Sequence, residues 1–360
     1  MNKINDTVSL CETCYRHIPA VKFIRDNKLY LGKTCLKHGY NEVLIETDID
    51  FYFNEHKYVK REPSSYWLDI TNRCNLDCPF CYQLPDNKSI DPSIDFILNE
   101  ISMLPDNGFP ISLVGAEATT RKDLAELVLK IQQLPGKSRK IMIVTNGVNL
   151  AKDHYIEKFV DIPNVMWTFG LNHSNYIGQH IREKQLEGIK NCVKYNQTIK
   201  NFTYTTGDLN HIPDILEEIQ HWHKENICSS ARIQLGVEIG RTPEEGAPEL
   251  FLSDLVKYVK NYCNEKSYSF VYKPELSNRT HYAVEINGII HRLIKWVDVR
   301  TIDMEESYSE SLAQLVPYKP MSLLLHQFIL RDRAVNNKEI LFDTIPEKYR
   351  FKECEPINKI

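Results

Sequence analysis

The chain has 360 residues, of which 42% are hydrophobic and 26% are charged. These values are ordinary for a folded globular protein and exclude a disordered chain. The formal net charge is −4, and without an excess of positive charge we expect no nucleic-acid partner. The N-terminal residues lack the apolar core of a signal peptide, and the apolar stretch near 323–330 is too short to span a bilayer. We therefore predict a cytoplasmic protein without membrane insertion.

The N-terminal segment carries two short metal-ligand motifs. Two residues separate Cys11 from Cys14, and two separate Cys35 from His38. Paired motifs of this spacing are typical of structural zinc, because four ligands close the coordination sphere. A segment of this size cannot fold on a hydrophobic core alone, so the metal would supply folding energy. We predict a zinc-ribbon-like module over residues 1–60; the alternative is that the histidine is only a turn residue.

From about residue 64, segments typical of strands alternate with amphipathic helices. We expect the first helix to begin with Asp91 as N-cap and Pro92 as its first residue. Thr120 is expected to cap the second helix, with Asp123 as its capping-box partner. Six strand–helix units predict a parallel sheet with helices outside it and functional groups at the carboxyl ends of the strands. The strands are expected at 66–70, 111–114, 140–145, 165–171, 202–205 and 233–239.

These patterns place the chain in the α/β fold class. We predict a partial (β/α)6 TIM-like barrel over residues 61–265, preceded by the zinc-ribbon-like module at 1–60. Residues 266–360 depart from the repeat. We expect them to form a C-terminal α/β extension, in which strands and a helix are segregated as in an α+β fold, and this extension is expected to cap the barrel. Within this extension, strands are expected at 270–273, 282–286 and 290–297, and a last helix after Pro320.

Three cysteines follow the first barrel strand with the spacing Cys-x3-Cys-x2-Cys, namely Cys74, Cys78 and Cys81. Cysteine thiolates hold iron–sulfur clusters, normally through four ligands, so three from one loop leave one iron of a [4Fe–4S] cluster open. An open coordination position distinguishes a catalytic metal centre from a closed structural one. The alternative is a structural zinc site with its fourth ligand elsewhere. The three-residue gap weighs against it, because zinc motifs prefer a gap of two.

The cysteine loop resembles that of the radical SAM superfamily, and the resemblance extends over about residues 64–265. The family pattern has three cysteines with an aromatic residue before the last, which is Phe80 in this sequence. The resemblance implies a [4Fe–4S] cluster whose open iron binds S-adenosylmethionine (SAM). It also implies that Phe80 and Tyr82 lie near the adenine, and that a flavodoxin- or ferredoxin-type protein donates the electron.

Two further motifs resemble SAM-binding motifs of that family. Gly115, Glu117 and Thr119 lie in a Gly-Ala-Glu-Ala-Thr sequence after the second strand, where the family has Gly-Gly-Glu-Pro-Thr. The resemblance implies that this backbone and the glutamate bind the SAM amino group, although two alanines depart from the pattern. Asn146 lies in a Thr-Asn-Gly sequence after the third strand, where it would bind SAM or substrate. The alternatives are a solvated loop glutamate and a plain Asn-Gly turn.

Three polar residues further along the chain complete the predicted SAM pocket. Asn172 follows the fourth strand, where the family has a polar residue on the ribose. Arg182 begins the next helix and would pair with the SAM carboxylate through its guanidinium fork; the alternative is a surface arginine. Gln234 lies on the sixth strand, from which it could reach adenine or substrate.

The leader also resembles that of a narrower set of radical SAM proteins, which includes tetraether lipid synthases and pterin methyltransferases. The shared features are its Cys-Glu-Thr-Cys, Ile-Pro-Ala and Gly-Lys-Thr-Cys sequences and its His-Gly pair. Those relatives carry extra cluster cysteines that are lacking here, so their reaction is not carried over to this chain. Only Cys263 and Cys354 follow the barrel, and we expect a single cluster. The resemblance favours small-molecule or lipid chemistry.

Together the motifs predict reductive cleavage of SAM to methionine and a 5′-deoxyadenosyl radical, which abstracts hydrogen from a small-molecule or natural-product substrate. Within the same class, the alternative substrate is a short peptide, as for the RiPP maturases that modify ribosomal peptides. A non-catalytic iron–sulfur or zinc protein that transfers electrons or binds a partner is the alternative from another class. It would leave the barrel-like repeat and Glu117 without a role.

Overall fold

The computed structural model describes most of the chain up to residue 295 and divides it into two compact units. The first unit comprises 1–63, 207–213 and 233–354, and the second comprises 64–206, 214–232 and 355–360. The described residues are 2–13, 17–55, 65–79, 81, 85–102, 104, 108–134, 140–228, 230–236, 250–277 and 281–295.

The N-terminal part of the first unit is a four-stranded antiparallel sheet in the order β1-β2-β3-β4. Asp26 and Asn27 both have positive φ values, 50° and 56°, and form the tight turn of a hairpin between the second and third strands. Leu29 and Leu31 alternate with less buried residues and face the small core of this sheet. The strands are β1 (Asn2–Leu10), β2 (His17–Arg25), β3 (Lys28–Cys35) and β4 (Gly39–Glu46).

The second unit contains five parallel strands in the order β9-β8-β7-β6-β5, each followed by helix. Strands β7 and β8 alternate buried and half-buried residues, and all four residues of β6 are buried, as expected for a sheet covered on both faces. The elements are β5 (Tyr66–Asp69), α1 (Ile94–Ser102), β6 (Ile111–Val114), α2 (Leu124–Gln132), β7 (Ile141–Thr145), α3 (Asp153–Ile156), β8 (Val165–Asn172), α4 (Ser174–Ile177), α5 (Gln179–Lys194), β9 (Thr198–Thr206) and α6 (Ile212–Lys224).

Two predicted helix caps are wrong. Helix α1 begins after Ser93, whose hydroxyl accepts the N–H of Phe96, whereas Asp91 binds the guanidinium of Arg73. Helix α2 begins after Asp123, whose carboxylate accepts both donors of a neighbouring arginine fork at 2.9 and 2.8 Å and makes no cap bond. A guanidinium fork offers two charge-assisted hydrogen bonds, which outweigh the single bond of a cap.

The remaining elements begin at residue 231 and follow the five parallel strands along the chain. The sixth predicted strand is present but ends at Leu235, and the following residues 237–249 lie outside the described part. The predicted final helix after Pro320 also lies outside it. Four strands have the order β11-β12-β13-β10, with antiparallel pairing between β11 and β12 and between β12 and β13. The elements are β10 (Ala231–Leu235), α7 (Leu252–Glu265), β11 (Phe270–Tyr272), β12 (His281–Ile286) and β13 (Ile289–Lys295).

The mixed α/β architecture with its parallel sheet confirms the predicted fold class. The compact first unit groups the ribbon with residues from 233 onward, and the division at residues 60 and 265 stays a prediction. None of the helices in the described residues combines the length and the apolar character that a bilayer crossing needs.

Within the first unit, a buried glutamate joins the ribbon to α7. Glu46 is only 4% exposed, and its Oε1 accepts the Ser253 hydroxyl at 2.6 Å and the N–H groups of Thr47 and Asp48 at 2.8 and 3.2 Å. Burial raises the pKa of Glu46 above its usual range. On the same strand, the hydrogen bonds from the Arg25 guanidinium lower the pKa of Glu42.

These opposite shifts predict opposite pH dependence for two matched substitutions. A raised pKa stabilises the fold at low pH, and that contribution is lost as pH rises; a lowered pKa does the reverse. Over about pH 3 to pH 8 and relative to the unsubstituted protein, Glu46→Gln should become more stable as the pH rises above the ordinary glutamate pKa of about 4.5. Glu42→Gln should be less stable at every pH above that value, and this deficit should shrink as the pH falls below it. Thermal unfolding midpoints across this range are the measurement. Parallel slopes for the two variants would contradict the prediction.

Candidate active site

The three-cysteine loop lies directly after β5, as the sequence predicts. Cys74, Cys78 and Cys81 are half-buried and form no disulfide. The Cys81 N–H donates to the carbonyl of Cys78 at 3.2 Å, which makes the last part of the loop a tight turn. The Leu76 N–H donates to the sulfur of Cys74 at 3.4 Å, a contact that favours a thiolate at this position.

The electrostatics of the loop favour a bound cation. Burial, together with the smaller effects of the charges of Glu117, Cys81 and Cys78, raises the pKa of Cys74 to about 12. Several anionic groups therefore lie close together, and a cationic centre would offset their repulsion and hold the sulfurs as thiolates. The donor set is three thiols on one loop, which fits an iron–sulfur cluster.

Backbone hydrogen bonds fasten the start of the loop to the segment after β6. The carbonyl of Thr71 accepts the Ala116 N–H at 3.1 Å, and the carbonyl of Arg73 accepts the Glu117 N–H at 2.9 Å. Gly115 has a φ of 150°, and a β-carbon there would lie 2.3 Å from the Thr71 carbonyl oxygen. Only glycine permits this approach, so the first residue of the Gly-Ala-Glu-Ala-Thr sequence determines how closely the two loops meet.

A salt bridge that the sequence analysis missed holds the residue before Cys74. The Arg73 guanidinium donates hydrogen bonds to both carboxylate oxygens of Asp91, and the Thr71 hydroxyl donates to the same carboxylate at 2.6 Å. The N–H of Cys74 donates to the side-chain oxygen of Asn87 at 2.9 Å. Asn87 and Asp91, which lie between the third cysteine and α1, therefore both bind the start of the loop. The sequence offers Asp91 as a helix cap and gives no sign that its carboxylate binds Arg73 and Thr71.

Glu117 is buried, with 2% of its surface exposed, and its carboxylate organises the ends of β6 and β7. Oε1 accepts the Thr145 hydroxyl at 2.6 Å and both the N–H and the hydroxyl of Thr119. Oε2 accepts the Asn146 N–H at 2.6 Å. Burial raises the pKa of Glu117, and the four donors oppose that effect. The carboxylate is thus a fixed acceptor beside the cysteine loop and not a solvated surface group.

Thr119 and Asn146 are each held by several further contacts. Tyr155 donates to the carbonyl of Thr119 at 2.9 Å, and Asn149 donates to the same oxygen at 3.1 Å. The Asn146 side chain donates to the side-chain oxygen of Asn75 at 2.7 Å, within the cysteine loop. Tyr155, Asn149 and Asn75 were not among the predicted site residues, because isolated polar residues carry no motif.

Gly147 explains the glycine of the Thr-Asn-Gly sequence. Its φ is 81°, and a β-carbon there would lie 2.6 Å from the ring of Phe169 on β8. A larger residue would therefore be strained and would collide with the neighbouring strand. This geometry makes the chain turn sharply after Asn146 and directs the Asn146 side chain back toward the cysteine loop.

The other predicted SAM contacts have different surroundings. Asn172 is half-buried at the last position of β8, and Gln234 is half-buried on β10. Arg182 is 8% exposed and forms a salt bridge with Glu218 of α6, while it also donates to Gln185 at 3.3 Å. It is therefore a buried, paired arginine and not a surface one. Phe80 and Tyr82 lie outside the described residues.

Three of the four predicted ribbon ligands meet at one point. The atoms that Cys11, Cys35 and His38 offer to a metal all lie within 4.8 Å of one another, and each sulfur is 3.4 Å from Nδ1 of His38. Hydrogen bonding to the backbone of Lys37 lowers the pKa of Cys35 to about 6. The fourth predicted ligand, Cys14, lies outside the described residues. This donor set fits a tetrahedral zinc ion.

Comparison with known protein families identifies the class. Residues 68–222 match the family model of the radical SAM superfamily, and residues 3–47 match that of the HMPTM N-terminal zinc ribbon domain. The first match contains the cysteine loop, and the second contains the group of two cysteines and a histidine. The chain therefore carries a radical SAM domain that follows an N-terminal zinc ribbon domain. The match to the radical SAM domain implies a [4Fe–4S] cluster and SAM.

Individual curated proteins match only part of this chain, at low sequence identity. The chain is 27% identical over 225 residues to 7,8-dihydro-6-hydroxymethylpterin dimethyltransferase of Methanocaldococcus jannaschii, covering 52% of this chain and 44% of that protein. It is 36% identical over 92 residues to GTP 3′,8-cyclase of Stenotrophomonas maltophilia, covering 24% and 27%. The chain thus spans less than half the length of these curated relatives.

Among solved structures, SuiB of Streptococcus suis bound to S-adenosylmethionine is similar with a TM-score of 0.47 and 17% identity. The match covers 68% of this chain and 52% of SuiB. Because this TM-score is below 0.5, we draw no conclusion from it about the fold or the function of this chain.

Proposed function

We propose that this enzyme cleaves SAM reductively at a [4Fe–4S] cluster held by Cys74, Cys78 and Cys81. The products would be methionine and a 5′-deoxyadenosyl radical, which abstracts hydrogen from a small-molecule substrate. The observation that carries the proposal is the loop with three half-buried cysteines, whose start is hydrogen-bonded to the segment that holds the buried carboxylate of Glu117. When bound, the cluster supplies one electron and an open iron for the amino acid part of SAM.

The chain's own contribution is to hold SAM in place and to keep water away from it. Glu117 is the proposed acceptor for the SAM ammonium group. Its Oε1 accepts three donors, whereas among the described residues the contacts of Oε2 are limited to the Asn146 N–H, so Oε2 retains acceptor capacity. A charge-assisted hydrogen bond from an ammonium group would also offset the burial of this carboxylate. Gly115 and Thr119 shape the backbone around it.

The other proposed SAM contacts differ in whether their side chains already have a partner in the chain. Phe80 and Tyr82 would lie near the adenine, and Asn172 would reach the nucleoside from the end of its strand. Gln234 stays a prediction from the sequence alone. Arg182 could bind the SAM carboxylate only beside Glu218, which already occupies its guanidinium. A shared arginine is a weaker anion site than a free one, so Arg182 has the least support of the set.

The nature of the relatives guides the choice of substrate. The Methanocaldococcus jannaschii enzyme is named for 7,8-dihydro-6-hydroxymethylpterin, and it is 27% identical to this chain over 225 residues. Reduced pterins and related small heterocycles are therefore the first compounds to assay. We further propose that zinc at Cys11, Cys14, Cys35 and His38 has a structural role, and that a flavodoxin or ferredoxin donates the electron in the cytoplasm.

Anaerobic reconstitution with iron and sulfide tests the proposal. We expect a brown protein with about four irons per chain in the loop site. SAM should change its electron paramagnetic resonance spectrum, and reduction by dithionite or flavodoxin should release 5′-deoxyadenosine. A spectrum unaffected by SAM would instead support a non-catalytic electron-transfer protein. Zinc in the cysteine loop would also contradict the proposal.

A further inference from the structure

Two asparagine side chains connect the inside of the cysteine loop to the end of β7. Asn75 lies between Cys74 and Cys78 and is exposed, whereas Asn146 is half-buried. The Nδ2 of Asn146 donates to the Oδ1 of Asn75 at 2.7 Å. The two residues are 71 positions apart in the chain. This contact therefore ties the segment that carries two proposed cluster ligands to a different strand of the sheet.

Asn146 is well placed to act as the fixed partner of this pair. Its N–H donates to Oε2 of Glu117 at 2.6 Å, and its Oδ1 accepts the Val148 N–H at 3.0 Å. Since the side-chain oxygen is bound to a backbone donor, the amide nitrogen must be the atom that faces Asn75. The positive φ of Gly147 fixes the turn that follows. Backbone and side chain of Asn146 are thus both held before any ligand binds.

We propose that Asn146 is a positioning residue that sets the conformation of the cysteine loop through Asn75. The inference rests on the proposed function, because it assigns the loop to a cluster. It replaces a direct SAM contact of the Asn146 side chain with an indirect role, since both polar atoms of that side chain already have partners within the chain. Glu117 takes part through the Asn146 N–H, so the acceptor proposed for SAM and the loop that holds the cluster share one support.

A double-mutant cycle separates this pair from its surroundings. Asn75→Asp keeps an acceptor for Asn146. Asn146→Asp keeps the acceptor for Val148, and the amide of Asn75 can rotate to donate to the new carboxylate. The double variant Asn75→Asp with Asn146→Asp leaves two acceptors and no donor, so the hydrogen bond is lost only there.

The first readout is hydrogen exchange of the metal-free protein. We expect the single variants to exchange their 74–81 amides at nearly the unsubstituted rate. The double variant should exchange them about threefold to tenfold faster, the effect of one hydrogen bond. Exchange in β7 and β8 should be unchanged, which excludes general unfolding. Equal rates in all four proteins would overturn the proposal.

The second readout is the KM for SAM of the reconstituted enzyme. A merely structural contact would lower the amount of folded enzyme but leave KM unchanged, whereas a displaced loop should raise KM about threefold to tenfold in the double variant. Asn75→Leu serves as the charge control, because it removes the acceptor without adding a carboxylate. It must reproduce both effects; if only the double variant shows them, repulsion between carboxylates is the cause and the proposal is wrong. Absence of SAM cleavage in the unsubstituted protein would defeat the proposed function but would leave the exchange result intact.

Discussion

Replacing Cys81 by alanine should reduce 5′-deoxyadenosine formation from SAM to the background of the metal-free protein. The proposed cluster has three protein ligands, and the loss of one leaves two iron atoms without a thiolate. Loss of an outer-shell residue typically costs roughly 10- to 100-fold in activity or metal affinity, and loss of a ligand itself should exceed this. Iron content and 5′-deoxyadenosine per chain after anaerobic reconstitution are the two measurements.

Cys228→Ala is the matched control for this substitution. Cys228 is a half-buried cysteine of the same unit that lies outside the loop and donates to the Ser230 carbonyl at 2.9 Å. Its removal should leave iron content and SAM cleavage close to those of the unsubstituted protein. If Cys81→Ala kept the normal rate of SAM cleavage, the assignment of the loop to the cluster would be wrong.

Replacing Cys35 by serine should release the metal of the ribbon and unfold residues 1–47. The sheet of this ribbon has a small core, in which Ile18 is buried together with two of the proposed ligands, Cys11 and Cys35. Structural zinc supplies about 10–16 kcal/mol in zinc-finger peptides, which is more than such a core can replace. Zinc content and the rate of proteolysis within the ribbon are the measurements.

Thr34→Ser provides the control for the ribbon. Thr34 precedes Cys35 on β3, is exposed, and offers no proposed ligand, so the variant should retain both zinc and protease resistance. A chain that binds no zinc but keeps an ordered ribbon would show that hydrogen bonding and the hydrophobic core suffice. In that case the contact of both cysteines with His38 would have no role in folding.

The parts of the site that the sequence and the structure both bring together depend on residues close to one another in the chain. The ribbon motifs each span four residues, and Cys11, Cys35 and His38 do converge. The strands carrying the cysteine loop and Glu117 lie where their apolar residues predicted them. The helix caps failed because Asp91 and Asp123 were each judged against the adjoining helix alone, whereas both carboxylates bind arginines.

Sequence alone determined the α/β class and the position of the cysteine loop, because hydrophobic periodicity and cysteine spacing are local properties. It also predicted four ribbon ligands, of which Cys11, Cys35 and His38 lie close together in the structure. The tertiary structure decided which polar groups pair. Arg182 meets Glu218 across 36 residues, and Asn146 meets Asn75 across 71. A buried or half-buried polar group takes whichever partner the fold brings within hydrogen-bond distance, and neighbouring residues in the chain do not reveal that partner.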